Sequence, residues 1–292
     1  MSTPTLLVWI LTCLIWSTVW LFIKIGVGDV PPVTFAAWRL AIAMSVLVPF
    51  ALWRRVPFPT CDAEWRLIAG TGVMLLGINY ALLNWGIQFI SSGLTAVLQA
   101  MTPVFALVFS HMMLPDDRMS VRKVGALLVG VVGVALVFWN QLDLAGLAAL
   151  RGCAAVVGGA MFVALAYVVM KRHGTHLHPS AITSGQMAAA FVPLLLYASA
   201  VEGNPLTVDW SRRAVVSVTY LALAGSIGGA WLNYWLLKRT SATNLLLMGL
   251  VEPLIAVALG AWWLNESMSA LTIVGGLAIL FSVAIVLEFR RR

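Results

Sequence analysis

Glu252 is the residue whose chemistry stands out most in this sequence. It occupies the middle of an apolar run, 242–264, directly before Pro253. If that run crosses a bilayer, an ionised carboxylate at this depth costs on the order of a few kcal/mol. Its proton occupancy then follows the hydration around it, which makes it a candidate for coupling transport to a proton or for holding an ammonium group. The alternative is a carboxyl that hydrogen-bonds backbone groups opened near Pro253. Arg39 is the other charge well inside an apolar run, 32–53. A guanidinium can take a solute carboxylate through paired hydrogen bonds. It can also reach outward to the interface or pair with a carboxylate such as Asp29.

Neutral polar and aromatic residues extend this set. Asn79, Tyr80 and Asn84 fall in one run, and positions 80 and 84 share a helical face. Gln99 and Gln186 are similar, and Asn233 and Tyr234 recur in a later run. Such groups hydrogen-bond a solute or tie helices together for ~0.6 kcal/mol each. Trp16 and Trp20 stand four apart, as do Trp231 and Trp235, while Met161, Phe162 and Tyr167 share a run. Trp53, Trp65 and Trp210 lie near run ends and fit an interfacial belt. The belt does not account for Trp16, which is mid-run. A ring-lined cavity suits apolar or aromatic solutes; packing and lipid-facing roles are the alternative for each ring. The candidate substrate-binding set is therefore Trp16, Trp20, Arg39, Asn79, Tyr80, Asn84, Gln99, Met161, Trp231 and Tyr234.

The elements that must position these residues follow from composition. The chain is 61% hydrophobic and 10% charged, against roughly 25% charged in soluble domains. Ten apolar runs cover about 6–27, 32–53, 66–87, 92–114, 121–139, 146–170, 179–201, 213–237, 242–264 and 270–288. Runs of about 17–25 residues span the hydrocarbon layer as helices. The connections are short, which excludes a large soluble catalytic domain. The expected fold is all-α and integral to the membrane. The N-terminus has no basic leader and no small-x-small cleavage site, so the first run is expected to remain as a helix.

The net charge of +7 reflects insertion rather than nucleic-acid binding. Thirteen of eighteen Lys and Arg fall at one set of alternate loops: Arg54, Arg55, Arg66, Arg118, Arg122, Lys123, Lys171, Arg172, Lys238, Arg239 and Arg290 to Arg292. Lys24, Arg151, Arg212 and Arg213 fall at the other set. The positive-inside rule then places both termini in the cytoplasm, in a bacterial inner membrane, with anionic lipid as the partner of the basic loops. Lys24 is expected to anchor the outer end of the first run.

The chain also repeats. Displaced by 150 positions, Trp85 falls on Trp235, Ser91 on Ser241, Pro103 on Pro253, Leu114 on Leu264, Asp116 on Glu266 and Gly125 on Gly275. Two units result, 1–140 and 141–292, each with five runs. An odd number inverts the second unit relative to the first, and inverted repeats support alternating access around a midplane cavity. The expected architecture is ten transmembrane helices as two inverted five-helix repeats around a central cavity. Pro103 and Pro253 each free a carbonyl four residues upstream, at Gln99 and Gly249. These carbonyls need protein, water or ligand as partner.

Leu14-Ile15-Trp16-Ser17, Lys24, Pro31-Pro32 and Trp38-Arg39-Leu40 resemble the opening of an EamA-type carrier of the drug/metabolite transporter superfamily. Leu250-Val251-Glu252-Pro253-Leu254, Leu264-Asn265-Glu266 and Gly275-Gly276 resemble its second-repeat signature. Thr102-Pro103 and Asp116 are a looser first copy. The resemblance covers essentially the whole chain. It implies ten helices, inverted repeats, a central cavity and export of amino acids or related metabolites; among members, the chain resembles an exporter of aromatic amino acids by general likeness. The motifs do not separate the family's substrates.

Other classes find less support. Gly26-Val27-Gly28-Asp29 matches the Gly-x-Gly-Asp pattern of intramembrane aspartyl proteases, but it falls in an outer loop without a second intramembrane Asp. No His-Glu-x-x-His and no convincing nucleophile–base pair is present, so no enzyme activity is expected. His173, His176 and His178 lack Cys or carboxylate companions for a metal. Cys13, Cys61 and Cys153 suggest no disulfide framework, and no cofactor motif is seen. A channel, or a carrier of another metabolite such as a nucleotide sugar, remains the alternative. No dense basic cluster for a diphosphate is evident.

Overall fold

A computed structural model describes residues 3–114, 121–237, 239 and 242–289. The side chains of 122–123, 141–145, 230, 234, 237, 242–247 and 286–289 are not part of that description. Asp116, Ser241, the Tyr234 ring and the basic groups of Arg118, Arg122, Lys123, Lys238 and Arg290 to Arg292 therefore lie outside it.

The described chain is helical throughout, without strands. We number the helices α1 Thr3–Asp29, α2 Pro32–Trp53, α3 Asp62–Gly86, α4 Ser92–Met113, α5 residues 121–145, α6 Gly146–His173, α7 Pro179–Glu202, α8 residues 212–237, α9 Ala242–Trp263 and α10 Ala270–Phe289. Seven segments are long and apolar enough to cross a membrane, and shorter apolar helices occupy Val124–Asn140, Met248–Trp263 and Ala270–Ile285. Helices suit lipid because each satisfies its own backbone polar groups. Large apolar side chains such as Leu7, Leu52, Leu128, Leu196 and Phe281 are exposed, as expected where lipid is the surrounding solvent.

Local chemistry sets the boundaries. Ser91 Oγ accepts from Leu94 N at 3.1 Å to start α4, and Ser211 Oγ accepts from Ala214 N at 3.0 Å to start α8. Pro32 and Pro179 sit in the first turns of α2 and α7, where no backbone donor is lost. Gly146, at φ 70°, breaks an otherwise continuous helix into α5 and α6.

The helices are not uniform. α3 widens into a π-helical turn over Val73–Ile78, and α8 does the same over Leu221–Gly228. Displaced by 150, the first turn falls inside the second, so the sequence repeat has a structural echo. The two proline helices differ. α4 leaves the α-helical path at Ala100 and Met101, whereas α9 runs through Pro253 unbroken. Thr102 Oγ1 donates to the Gln99 carbonyl at 2.7 Å, so protein supplies the partner that Pro103 removed.

Packing brings the N-terminal and C-terminal halves together. α5 and α10 approach so closely at Gly133 and Gly275 that a Cβ on either would meet the other's carbonyl oxygen at under 3 Å. Gly86 of α3 and Gly152 of α6 make an equivalent crossing. Small residues permit such backbone contact where the hydrophobic effect supplies little drive between helices.

Candidate functional site

A cavity of about 570 Å³ opens among α1, α2, α3, α4, α6, α7, α8 and α9. This lies within the range of small-molecule sites, about 300–1,000 Å³. Met170, Pro179, Ile182 and Thr183, beside the 174–178 loop, are exposed or half-buried lining residues, and we call this side the wide end. Ile23, Leu83 and Asn84 are buried lining residues, and we call this side the narrow end. Exposure among the lining residues ranges from 57% at Tyr167 to 2% at Asn84.

Arg39 enters from α2 and is 6% exposed. Its Nε donates to Ser226 Oγ at 3.2 Å, and its guanidinium lies 4.7 Å from the centroid of the Tyr80 ring. Ser226 is placed by the π-helical turn of α8, its hydroxyl donating to Leu221 O at 3.0 Å. A Cβ on the adjacent Gly225 would be tight against Val19 at 3.1 Å and in ordinary contact with Nη2 at 3.8 Å. Asp29, the expected alternative partner, instead accepts a hydrogen bond from Ser211. Among the described residues no carboxylate pairs with Arg39. A desolvated guanidinium held by a hydroxyl and an aromatic face retains donors for an anion.

The opposite wall is amide-rich. Gln99 Nε2 donates to Asn79 Oδ1 at 2.9 Å, joining α4 to α3 just beside the irregular turn of each. Gly159 of α6 seats this pair: a Cβ there would lie 2.6 Å from Asn79 Oδ1. Trp16 and Trp20 line the cavity from α1, Tyr80 from α3 and Tyr167 from α6. The Trp16 indole lies directly against Gly229 of α8, where a Cβ would collide with it. Glu252 reaches the same cavity from α9.

Eight of the sequence-derived residues thus line one space: Trp16, Trp20, Arg39, Asn79, Tyr80, Asn84, Gln99 and Glu252. Asn84 is also a tie, donating to Pro32 O at 3.1 Å. Met161 and Trp231 are not among the lining residues and are 42% and 65% exposed. Each lies on an otherwise inward-contributing helix but on its outer side. Pro103 follows the break in α4, whereas the break expected at Pro253 is absent because α9 stays helical through it, and neither proline lines the cavity. Tyr234 lies outside the described side chains.

Other lining residues carried little signal. Ser226 is an ordinary serine in an apolar run until the π-helical turn aims it at Arg39. Gln186, noted beside Gln99 in the sequence, also lines the cavity while donating to Thr71 Oγ1 at 3.0 Å. Lys24, expected as an interface anchor, instead turns inward, its Nζ donating to Ile87 O at 2.5 Å and Ile90 O at 2.7 Å. His176 pairs with Glu64 at 2.8 Å in an exposed position, and His178 Nδ1 caps α7.

Comparison with known proteins agrees with this architecture. The EamA-like transporter family profile matches residues 3–139 and again 150–288. The uncharacterized transporter YoaV of Bacillus subtilis is 27% identical over 269 residues, covering 91% of this chain and 90% of the relative. The uncharacterized inner membrane transporter YedA of Escherichia coli K12 is 27% identical over 282 residues, covering 94% and 87%. A crystal structure superposes over 100% of both chains with a TM-score of 0.66 at 19% identity, a likeness of fold.

Proposed function

The chain belongs to the EamA-like transporter family, and from that premise we propose that it exports amino acids with apolar or aromatic side chains by alternating access. It is an integral membrane protein whose family and relatives' names denote transport rather than catalysis. The reading places it in a bacterial inner membrane with both termini cytoplasmic. It has ten membrane helices in two inverted five-helix repeats, 1–140 and 141–292. The double family match and the paired π-helical turns of α3 and α8 support the duplication.

One observation carries the substrate class. Arg39 and Glu252 face a single cavity walled by Trp16, Trp20, Tyr80 and Tyr167. A guanidinium receives an α-carboxylate, a carboxylate receives an α-ammonium, and the rings receive an apolar side chain. Among the described residues Arg39 is the single basic residue lining the cavity, which argues against a diphosphate-bearing solute such as a nucleotide sugar.

Reconstituted uptake of a panel of amino acids and other metabolites, with and without a pH gradient, tests the proposal. Phenylalanine, tryptophan and leucine are expected to compete for one saturable process. Their decarboxylated amines and deaminated acids should compete weakly. Equal competition by either truncated series would remove the zwitterion reading. Glu252→Gln is expected to fold and to flatten the pH dependence of uptake between about pH 5 and pH 8. An unchanged profile with normal activity would assign Glu252 to structure and favour uncoupled transport.

A further inference from the structure

Near the buried lining residues Ile23 and Leu83, charged side chains find their partners at helix termini. Lys24, on α1, donates from Nζ to the carbonyls of Ile87 at 2.5 Å, Gln88 at 3.3 Å and Ile90 at 2.7 Å, where α3 ends. Glu266, after α9, accepts from Ser92 N at 2.9 and 3.0 Å, from Ser92 Oγ at 2.7 Å and from Gly93 N at 3.4 Å, where α4 begins. The 87–91 turn is therefore gripped from both sides, by a cation on free carbonyls and an anion on free amides. Each charge complements its helix dipole.

Neighbouring contacts draw the same end together. Glu202, ending α7, accepts from Val33 N at 2.9 Å, Thr34 N at 2.7 Å and Thr34 Oγ1 at 2.9 Å, where α2 begins. Trp38 Nε1 donates to Pro205 O at 3.1 Å, and Ser211 bonds Asp29. Both glutamates come from the C-terminal half of the chain and hold helices of the N-terminal half. The backbone is arranged for Glu266. Asn265 adopts φ 53°, turning the chain back after α9, and Gly260 leaves the gap its carboxylate occupies.

We propose that Lys24 and Glu266, assisted by Glu202, form a releasable lock that holds the narrow end shut while the cavity is open beside the 174–178 loop. This rests on the alternating-access reading above. The helices joined by the lock, α1, α3 and α4, carry Trp16, Trp20, Asn79, Tyr80, Asn84 and Gln99. Release of the 87–91 turn therefore frees a large share of the cavity wall to move. Because each charge is held by a helix end, the lock opens without separating an ion pair in hydrocarbon, and water can take over the exposed amides and carbonyls.

A thiol reporter at the narrow end tests this. Leu83→Cys, in a background with Cys13, Cys61 and Cys153 replaced by alanine, is exposed to a membrane-impermeant maleimide on the face carrying residues 87–91. Slow labelling is expected in the parent, with an increase of ~5-fold or more for Lys24→Gln and for Glu266→Gln, the scale of losing one helix cap. Gly260→Ala, which crowds the Glu266 carboxylate, is a second route to the same increase. Thr183→Cys, reacted from the opposite face, checks that each variant keeps its cavity. The exchange Lys24→Glu with Glu266→Lys should remain fast, because each charge then opposes its helix end; restored protection would mean that the two form a simple ion pair and would overturn the lock. Unchanged slow labelling in folded Lys24→Gln and Glu266→Gln proteins would also overturn it. Fast labelling of the parent from both faces would instead remove alternating access itself.

Discussion

The two ends of the cavity are built differently. At the narrow end, Lys24, Glu202 and Glu266 are bound by backbone groups of helices distant in sequence, and Asn84 reaches across to Pro32. At the wide end, among the described residues, His176 pairs with Glu64 in a solvent-exposed position. Exposed ion pairs contribute little, because water screens them and two side chains lose freedom. Charges held by helix ends in a desolvated setting contribute more. Among the described residues, the charged links between distant helices thus gather beside Ile23, Leu83 and Asn84, which is the end that the proposed lock would fasten.

Arg39 sits between these ends, and its removal should have the largest effect on transport. Arg39→Ala is expected to reduce uptake of carboxylate-bearing solutes by about 30-fold or more, since losing one partner of a buried charge pair costs ~2–5 kcal/mol. Uptake that persists within twofold would show that the guanidinium serves only Ser226 and Tyr80. Next comes Thr102→Val, which leaves the Gln99 carbonyl without its hydroxyl donor. A loss of about 1–3 kcal/mol in stability is expected, read as a lower midpoint of thermal unfolding in detergent. An unchanged midpoint would mean that water replaces the hydroxyl. Gly159→Ala pushes on the Asn79 amide from 2.6 Å. Its expected signature is a several-fold rise in KM with little change in maximal rate, because the amide tips can shift into the cavity; an altered maximal rate with unchanged KM would contradict this. The smallest effect belongs to Glu64→Gln at the wide end. No measurable change in stability or transport is expected, and a clear loss of either would show that the wide end is also fastened.

Much of the site was legible because rare residues in apolar runs are conspicuous. Arg39, Glu252 and Trp16 each violate the expected chemistry of a membrane helix, and all three line the cavity. Asn79 and Gln99 were visible as candidates, but not their pairing, which depends on how α3 and α4 meet. Met161 and Trp231 show the limit of the method: helix membership came from the apolar pattern, while rotation about the helix axis did not. Helices with apolar residues on nearly every side leave that angle unspecified. Ser226 was invisible for a related reason, since a π-helical turn displaces the face on which later residues fall. Lys24 was misread because position in a run gives depth, whereas its partners are carbonyls more than sixty residues away.

Counterflow in proteoliposomes tests the central claim most directly. Vesicles preloaded with unlabelled phenylalanine should take up labelled phenylalanine faster than empty vesicles. The rate should saturate with external concentration, and Arg39→Ala should abolish the acceleration. A single cavity that opens to one side at a time requires this exchange. Uptake that rises linearly with concentration, indifferent to the internal load, would contradict the carrier account.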